Sequence, residues 1–120
     1  MKKGKSELGK KGEKIAKKYL ADKGYEILAT NLKVPFGEAD IIAIDGETLV
    51  IVEVKTKSSL ELGLPQEMVN ATKQKKLRKI ASAISKNYGY EDFRIDVIGI
   101  LIGKNRPKIE HIADAVEGLQ

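Results

Sequence analysis

Two adjacent runs rich in Ile and Val, residues 38–45 and 48–57, constrain the fold of this chain more than any other feature of its sequence. β-branched residues favour strands, and the Asp45-Gly46 pair between the runs is a strong signal for a hairpin turn. The two runs therefore predict an antiparallel hairpin at the centre of a β-sheet.

Amphipathic helices and further strands are predicted around this hairpin. Apolar residues at helical spacing and β-branched runs predict helices at residues 6–23 and 66–87 and strands at residues 25–34, 93–102 and 108–112, the last as a short edge strand. The order, α-β-β-β-α-β with one more short strand, indicates an α/β fold in which one mixed sheet is flanked by helices. A chain of 120 residues has the usual size of one domain, so a single domain over residues 1–120 is expected.

Positive charge favours a polyanionic partner. The chain has 22 Lys and Arg against 17 Asp and Glu, a formal net charge of +5, and cations bind nucleic acid through phosphate contacts and counterion release. Two lysine-rich segments supply the candidate nucleic-acid-binding residues Lys10, Lys11, Lys14, Lys73 and Lys76. Charge runs also commonly do no more than solvate helix faces, and a Lys/Glu/Ile-rich composition is common in heat-stable proteins, so charge alone leaves both interpretations open.

Several classes of protein and of site are disfavoured by what the sequence lacks. There is no cysteine, which excludes disulfides, thiolate zinc sites and a cysteine nucleophile, and suits a reducing compartment. No apolar run approaches the roughly 18 residues of a membrane span, and no signal-peptide pattern follows the lysine-rich start, so a cytoplasmic protein without a membrane partner is expected. His111 is the only histidine, so it is expected on the surface or on the edge strand rather than in a zinc site or a catalytic triad.

Carboxylates and a lysine share one face of the predicted hairpin. Strand alternation puts Glu38 and Asp40 on one face of the first strand, and Glu53 and Lys55 on one face of the second. A two- or four-residue loop places Asp40 opposite either Ile51 or Glu53 on the same side of the sheet, and in the four-residue case Asp40 faces Glu53 directly. A three-residue loop would separate the two faces.

A divalent cation would explain two adjacent carboxylates. Ionised neighbours repel each other unless a cation lies between them, and hard oxygen ligands suit Mg²⁺, with Mn²⁺ as a substitute. Asp40 and Glu53 are therefore candidate metal ligands, while Lys55 could orient the attacking water or offset charge on the transition state of phosphodiester hydrolysis. A Glu-x-Lys pattern alone on a strand more often marks a cross-strand salt bridge. Catalysis is favoured here because the acidic segment 37–40 precedes the pattern by the length of a hairpin.

Five segments carry a resemblance to a known family: GKKGEKIA at 9–16, GYEIL at 24–28, GEADIIA at 37–43, VEVKTK at 52–57 and RIDV at 94–97. Together they resemble the YraN family, within the PD-(D/E)xK nuclease superfamily, over nearly the whole chain. The resemblance implies a restriction-endonuclease-like core, Asp40, Glu53 and Val54 at a metal, and Lys55 as the catalytic lysine. The proline of the superfamily name is absent, since Ala39 precedes Asp40.

Further site residues follow from the same resemblance. Archaeal Holliday-junction resolvases share this core and use a helix glutamate, for which Glu13 is the matching candidate. The alternative is an ordinary surface glutamate among lysines. Gln66, at the start of the second helix, is by the same resemblance a candidate supporting residue of this pocket. Glu38 is another, because strand alternation places it on the face of Asp40.

Two basic residues outside the hairpin have competing interpretations. Lys73 interrupts the apolar stripe of the second helix, so it either snorkels to solvent or reaches a phosphate near the metal. Arg94 and Asp96 share one strand face, and an internal salt bridge is expected of them rather than catalysis.

These observations predict a Mg²⁺-dependent endonuclease that acts on DNA, with branched DNA as one candidate substrate. The rival hypothesis is a non-catalytic nucleic-acid-binding or adaptor protein on the same fold. A third is a stable α/β protein with a salt-bridged hairpin and no nucleic-acid role. A symmetric homodimer would let two sites cut opposing strands, but the sequence fixes neither the oligomeric state nor the choice between DNA and RNA.

Overall fold

One mixed sheet with a helix on each face forms the core of the protein. The computed structural model describes residues 5–58 and 70–116. In chain order its elements are α1 (Glu7–Asp22), β1 (Glu26–Val34), β2 (Gly37–Asp45), β3 (Thr48–Lys57), α2 (Ala71–Tyr88), β4 (Phe93–Leu101) and β5 (Lys108–Ile112). The predicted α/β class, the element order and the short edge strand are confirmed. The predicted start of the second helix, at residue 66, lies outside the described residues.

The strands lie side by side in chain order, β1-β2-β3-β4-β5. β1, β2 and β3 form an antiparallel meander, β3 and β4 are parallel, and β5 runs antiparallel to β4. A parallel pair cannot be joined by a tight turn and needs a crossover connection, which here contains α2. The sheet is therefore mixed because one helix separates β3 from β4 in the sequence.

Polar side chains fix where both helices begin. The Oγ atom of Ser6 accepts the N–H of Gly9 at 3.0 Å, and Oδ1 of Asn70 accepts the N–H of Lys73 at 2.9 Å. Each bond satisfies a donor that the first turn of a helix leaves without an intrahelical partner. Because Ser6 is the cap, the preceding residue, Lys5, lies just outside α1.

The two helices cover opposite faces of the sheet, and each face has its own apolar cluster. The α2 face buries Ile42, Leu49, Ile51, Leu77, Ile80, Ala81, Ile84, Ile95 and Val97, whereas the α1 face buries Ala16, Leu20, Ile41, Ala43, Val50, Val52, Ile98 and Ile100. On the α1 face a Cβ added at Gly12 would lie 1.9 Å from Oγ1 of Thr56. Gly12 therefore allows α1 to pack directly on β3, which places the adjoining Glu13 beside the sheet.

Regular alternation breaks down at Asp40. Ala39 and Ile42 pack in the α2-side cluster although they are three residues apart, while Ile41 packs on the α1 side. Across the β1–β2 ladder the flanking pairs are Leu32 with Ala39 and Thr30 with Ile41, so Asn31, which has a φ of 53°, lies level with Asp40. The strict alternation predicted from the sequence is therefore wrong at this one point, because both strands are irregular there.

Candidate functional site

The β2–β3 hairpin has the register that sets Asp40 level with Glu53. Its pairs run from Asp45 with Thr48 to Ile41 with Val52, and continuing them by one step puts position 40 opposite position 53. Of the two predicted registers this is the direct one. The connection is the two residues Gly46-Glu47 rather than the four expected for it, because pairing extends to Asp45 and Gly46 adopts the positive φ that a tight turn requires.

The side chain of Asp40 hydrogen-bonds to β3 just beyond the last backbone pair of the β2–β3 ladder. Beyond the Ile41–Val52 pair, Oδ2 of Asp40 accepts the N–H of Val54 at 2.8 Å. The bond fixes one carboxylate oxygen of Asp40 against β3, and the other, Oδ1, faces the ammonium group of Lys5. Asp40 and Glu53 are thus held on neighbouring strands by the backbone itself.

Three buried carboxylates line one cleft. Glu13, Asp40 and Glu53 are 9%, 6% and 5% exposed, and all three line a cleft of about 760 Å³ between α1, the β1–β2–β3 meander and α2. Burying ionised carboxylates is unfavourable unless they are paired, so each of these groups needs a compensating cation or hydrogen bond. The surface-glutamate alternative for Glu13 is wrong on this geometry.

Lysine ammonium groups compensate the three carboxylates. Nζ of Lys5 lies 2.7 Å from Oδ1 of Asp40 and 3.3 Å from Oε2 of Glu13. On Glu53, a single oxygen, Oε2, is approached by Nζ of Lys55 at 3.3 Å and by Nζ of Lys73 at 3.2 Å. Lys73 therefore reaches into the cleft, and does not simply snorkel to solvent.

The pKa values of two groups record this electrostatic balance. Burial lowers the pKa of the Lys5 ammonium, but its hydrogen bond to Asp40 and the charges of Asp40 and Glu13 outweigh burial and raise the pKa to about 12. Burial and the charge of Asp40 raise the pKa of Glu53 above its ordinary value, against the opposing effect of Lys73 and Lys55. The protonated form of Glu53 is thus favoured mainly because the carboxylate is buried, and in part because the charge of Asp40 is close.

Asn31 orients Glu13. Nδ2 of Asn31 donates a hydrogen bond of 2.7 Å to Oε1 of Glu13, whereas Oε2 of Glu13 is buried without a hydrogen-bond partner among the described residues, and Lys5 approaches it only as an ion pair. Sequence reasoning missed both Asn31 and Lys5. The only signals were an asparagine within a strand pattern and a lysine directly before a helix cap, and neither is specific.

Most of the sequence-predicted residues meet in this cleft. Its lining contains eight lysines and four carboxylates, namely Lys5, Lys10, Lys14, Lys17, Lys33, Lys55, Lys73, Lys76, Glu13, Glu38, Asp40 and Glu53, and Val54 also lines it. Of the predicted nucleic-acid-binding lysines only Lys11, which is exposed, is not part of the lining. Gln66 lies outside the described residues.

The comparison with known proteins identifies the family. The model of the family described as "Uncharacterised protein family UPF0102" matches residues 12–100 of this chain. The chain belongs to the UPF0102 family. A UPF0102 protein of Thermodesulfovibrio yellowstonii is 51% identical over 113 residues, which cover 91% of this chain and 95% of that protein. One of Alkaliphilus metalliredigens is 44% identical over 110 residues, covering 90% and 96%. The family predicted from the sequence as YraN is confirmed.

Solved structures similar to this UPF0102 protein include two archaeal enzymes. The Holliday junction resolvase Hjc of Archaeoglobus fulgidus is 20% identical with a TM-score of 0.48, over 83% of this chain and 74% of that one. A repair endonuclease from Pyrococcus abyssi is 15% identical with a TM-score of 0.47, over 86% and 39%.

The donor set of the UPF0102 cleft suits a hard cation that keeps several waters. The described residues contain no group of three or more His, Cys, Asp or Glu that could hold a metal ion jointly. Mg²⁺ does not need one, because it is usually bound through one or two carboxylates and retains water ligands. Asp40 and Glu53 fit this requirement, and Oε2 of Glu13, which has no hydrogen bond of its own, lies on the other side of Lys5.

A second buried polar cluster of the UPF0102 protein is structural. Asp96 is fully buried and accepts hydrogen bonds from Nε of Arg94 at 3.0 Å and from the N–H of Asp114 at 3.0 Å, and Nε2 of His111 lies 2.7 Å from its Oδ2. The predicted Arg94–Asp96 salt bridge is confirmed. Of the two positions predicted for His111, the edge strand is confirmed, since the residue lies on β5, and the surface is wrong. The side chain is only 6% exposed because it turns inward to Asp96 and Tyr19.

The described part of the UPF0102 protein contains no helix long and apolar enough to cross a membrane.

Proposed function

We propose that this UPF0102 protein is a metal-dependent endonuclease that hydrolyses phosphodiester bonds in DNA. The observation that carries the proposal is the convergence of three buried carboxylates, Glu13, Asp40 and Glu53, with Lys55 and Lys73 in a lysine-lined cleft. A salt-bridged hairpin without function has no need to bury three acids at one place, since exposed ion pairs avoid the desolvation penalty. Perturbed acid–lysine clusters inside clefts are typical of catalytic sites.

Asp40 and Glu53, together with Val54, which follows Glu53 on β3, would hold Mg²⁺, or Mn²⁺ in its place. A divalent cation there supplies polarisation of the scissile phosphate and a water of lowered pKa. The raised pKa of Glu53 supports this assignment, because part of the shift comes from the charge of Asp40, which a cation between the two carboxylates would offset. Glu38 also lines the cleft and supports the acidic side of the site.

Lys55 and Lys73 act on the phosphate. Both ammonium groups form ion pairs with the same oxygen of Glu53, Oε2. A metal ion bound to Glu53 would compete with them for this oxygen. Lys55, on the strand, orients the attacking water or offsets charge on the transition state, and Lys73, on α2, binds a non-bridging phosphate oxygen. Glu13, held by Asn31, positions Lys5 and the acidic edge of the site.

The remaining lysines define a polyanion as the substrate. On α1, Lys10, Lys14 and Lys17 follow each other at spacings of four and three residues and so lie on one helix face, and all three line the cleft. On α2, Lys73 and Lys76 are three residues apart and line the opposite side. Two rows of ammonium groups on either side of the acidic pair would grip the backbone of a nucleic acid and direct one phosphate onto Asp40 and Glu53.

Cleavage of a labelled DNA panel tests the proposal. Linear, flapped and four-way-junction DNA are incubated with Mg²⁺, Mn²⁺ or a chelator, using the natural protein, Asp40→Asn and Glu53→Gln. Asp22→Asn, a change in an exposed carboxylate at the far end of α1, is the matched control. We expect the natural protein and the control to cleave DNA only when metal is present. The cleavage rate of both site variants should be lower by at least about a hundredfold.

DNA affinity at two ionic strengths completes the experiment. Binding through several phosphates falls steeply between 50 and 200 mM salt, by roughly a thousandfold or more when six contacts are made. Salt-dependent binding with no cleavage under any metal condition would replace the endonuclease with an adaptor protein. The absence of both binding and cleavage would leave the charged cleft as a structural feature.

A further inference from the structure

The tip of the β1–β2 hairpin exposes an aromatic ring. Val34 and Gly37 pair across the hairpin, and the two residues between them, Pro35 and Phe36, form its turn. The Phe36 residue is 44% exposed, more than any other large hydrophobic residue in the described ranges 5–58 and 70–116. A phenylalanine gains nothing from this exposure in the isolated protein, because the apolar ring stays in contact with water.

The neighbours of Phe36 belong to the basic cleft. Lys33, three residues before it, and Gly37, directly after it, both line the cleft. Gly37 backs onto α2, since a Cβ at this position would lie 2.6 Å from Cδ1 of Ile80 and 3.2 Å from Cε of Lys76. The hairpin tip is therefore held against α2, and Phe36 lies in the sequence between Lys33 and Gly37, which both line the cleft.

An exposed ring next to a lysine-lined cleft matches the chemistry of unpaired nucleotides. Proteins that bind single strands combine cations along the backbone with aromatic side chains on which bases stack, and any base can stack because each has a π-face. Bases inside a continuous duplex are already stacked on each other and do not offer a free face. The lysines beside Phe36 would have no function for an apolar protein partner, so the surroundings of the ring favour nucleic acid.

The distance from Phe36 to the acidic pair suits one substrate strand. Asp40 follows Phe36 by four positions, and an extended strand rises about 3.3 Å per residue, so the two lie roughly 13 Å apart. Successive stacked nucleotides of one DNA strand are about 3.4 Å apart along the helix axis and unstacked ones are further apart, so this span corresponds to at most about four nucleotides. A base on Phe36 and a phosphate at Asp40 can therefore belong to the same short stretch of strand.

We propose that Phe36 stacks on an unpaired nucleobase within about four nucleotides of the scissile phosphate, which makes DNA with single-stranded or branched segments the substrate class of this cleft. The inference rests on the proposed endonuclease function. Phe36 is a specificity-determining residue in this scheme: it makes no contact with the reacting atoms and selects the strands that can reach them.

Fluorescent DNA measures the stacking directly. A flapped duplex carries 2-aminopurine, whose fluorescence is quenched on stacking, at one of the four positions on either side of the branch, and a fully paired duplex of equal length is the reference. Binding is measured in a chelator, so that no cleavage occurs, with the natural protein, Phe36→Ala, Phe36→Trp and Phe36→Leu. Ile109→Ala, a change in another exposed hydrophobic on β5, is the control.

Loss of the ring should affect the flap and spare the duplex. We expect Phe36→Ala to weaken flap binding by about tenfold or more, because stacking on one base is worth roughly that factor, and to abolish the change in 2-aminopurine signal. Phe36→Trp should retain both, Phe36→Leu should lose the signal, and Ile109→Ala should match the natural protein. Equal weakening on flap and duplex, or a signal that survives Phe36→Ala, would overturn the inference.

The same variants separate the two proposals when metal is added. If the natural protein cleaves the panel and Phe36→Ala keeps the same preference for flapped DNA, the role of Phe36 is overturned and the endonuclease function stands. A 2-aminopurine signal that depends on the ring, without any cleavage, would overturn the endonuclease function and leave base stacking by Phe36 intact.

Discussion

The Nζ atom of Lys5 lies 2.7 Å from Oδ1 of Asp40 and 3.3 Å from Oε2 of Glu13, so that one ammonium group joins two buried carboxylates from different elements. Lys5 precedes the cap of α1 and therefore belongs to no regular element. Its charge stabilises the acidic edge of the cleft in the metal-free protein. It must also compete with any other cation that binds there.

Replacing Lys5 by Gln should strengthen metal binding. The change removes the competing ammonium group and leaves Asp40 and Glu13 with more negative charge to share with a divalent ion. We expect the Mn²⁺ affinity measured by titration calorimetry to rise by at least about fivefold, which corresponds to roughly 1 kcal/mol. Lys18→Gln, which removes an ammonium group paired with Asp22 on an exposed part of the same helix, should leave the affinity unchanged. An affinity that falls in Lys5→Gln would mean that Lys5 supports the metal site.

Replacing Glu53 by Gln should abolish cleavage and stabilise the metal-free protein at neutral pH. Burial and the charge of Asp40 raise the folded-state pKa of Glu53 above its ordinary value of 4.5. For such a group the folded state loses stability as the pH rises from the unfolded-state pKa through the folded-state pKa. The variant should therefore melt a few degrees higher than the natural protein at pH 7 and at the same temperature at pH 4 or below.

Thermal melts in a chelator at both pH values check this expectation, with Glu91→Gln as the exposed control. A variant that melts lower at pH 7 would show that Glu53 is stabilised by Lys55 and Lys73 more than it is penalised by burial.

Replacing Asp96 by Asn should destabilise the fold. The fully buried Asp96 faces Arg94 and His111, and removing one partner of a buried charged pair costs about 3–5 kcal/mol. Burial raises the pKa of Asp96, but the bonds from His111, Arg94 and the N–H of Asp114 outweigh it and lower the pKa below its ordinary 3.8. The stability that this carboxylate contributes is present above pH 3.8 and is lost as the pH falls through the folded-state pKa.

Urea unfolding at pH 7 and pH 3 measures both effects. The gap between the natural protein and Asp96→Asn should be widest at pH 7 and should narrow in acid, whereas a gap independent of pH would assign the loss to packing. Asp22→Asn, at the exposed end of α1, should have little effect at either pH.

Two glycines of α1 provide a matched pair of substitutions. A Cβ at Gly12 would lie 1.9 Å from Oγ1 of Thr56, so Gly12→Ala should push α1 away from β3 and destabilise the protein by about 1–3 kcal/mol. At Gly9 the nearest atom, Oγ of Ser6, is 3.4 Å away, and Gly9→Ala should stabilise the helix by up to about 1 kcal/mol. Thr56→Ala should partly restore the stability of Gly12→Ala. Denaturant midpoints that fall equally for both alanines would contradict a specific contact between α1 and β3.

The regular part of the structure could be predicted from the sequence, and the irregular part of the site could not. Runs of Ile and Val and the helical spacing of apolar residues report directly which segments are strands and helices. The sequence limited the β2–β3 hairpin to two registers, and the structure has the one that sets Asp40 level with Glu53. Lys5 meets Asp40 across 35 positions and Asn31 meets Glu13 across 18, at a point where alternation fails. No local pattern encodes such meetings. The burial of the His111 side chain was missed for the same reason, because it depends on Asp96 on a neighbouring strand.

The parallel pairing of β3 with β4 bears on the order in which the molecule assembles. Asp40 and Glu53 lie on a hairpin closed by two residues. The pairing of Leu49 with Phe93, by contrast, forms only after the whole of α2, which separates them in the sequence, has been made. Short loops close sooner than long ones, and chains emerge from the ribosome N-terminus first. The hairpin can therefore form before the segment that carries Lys73 has folded onto it. At that stage Asp40 has Lys5 and Glu53 has Lys55, but Glu53 still lacks the second of its two ammonium groups.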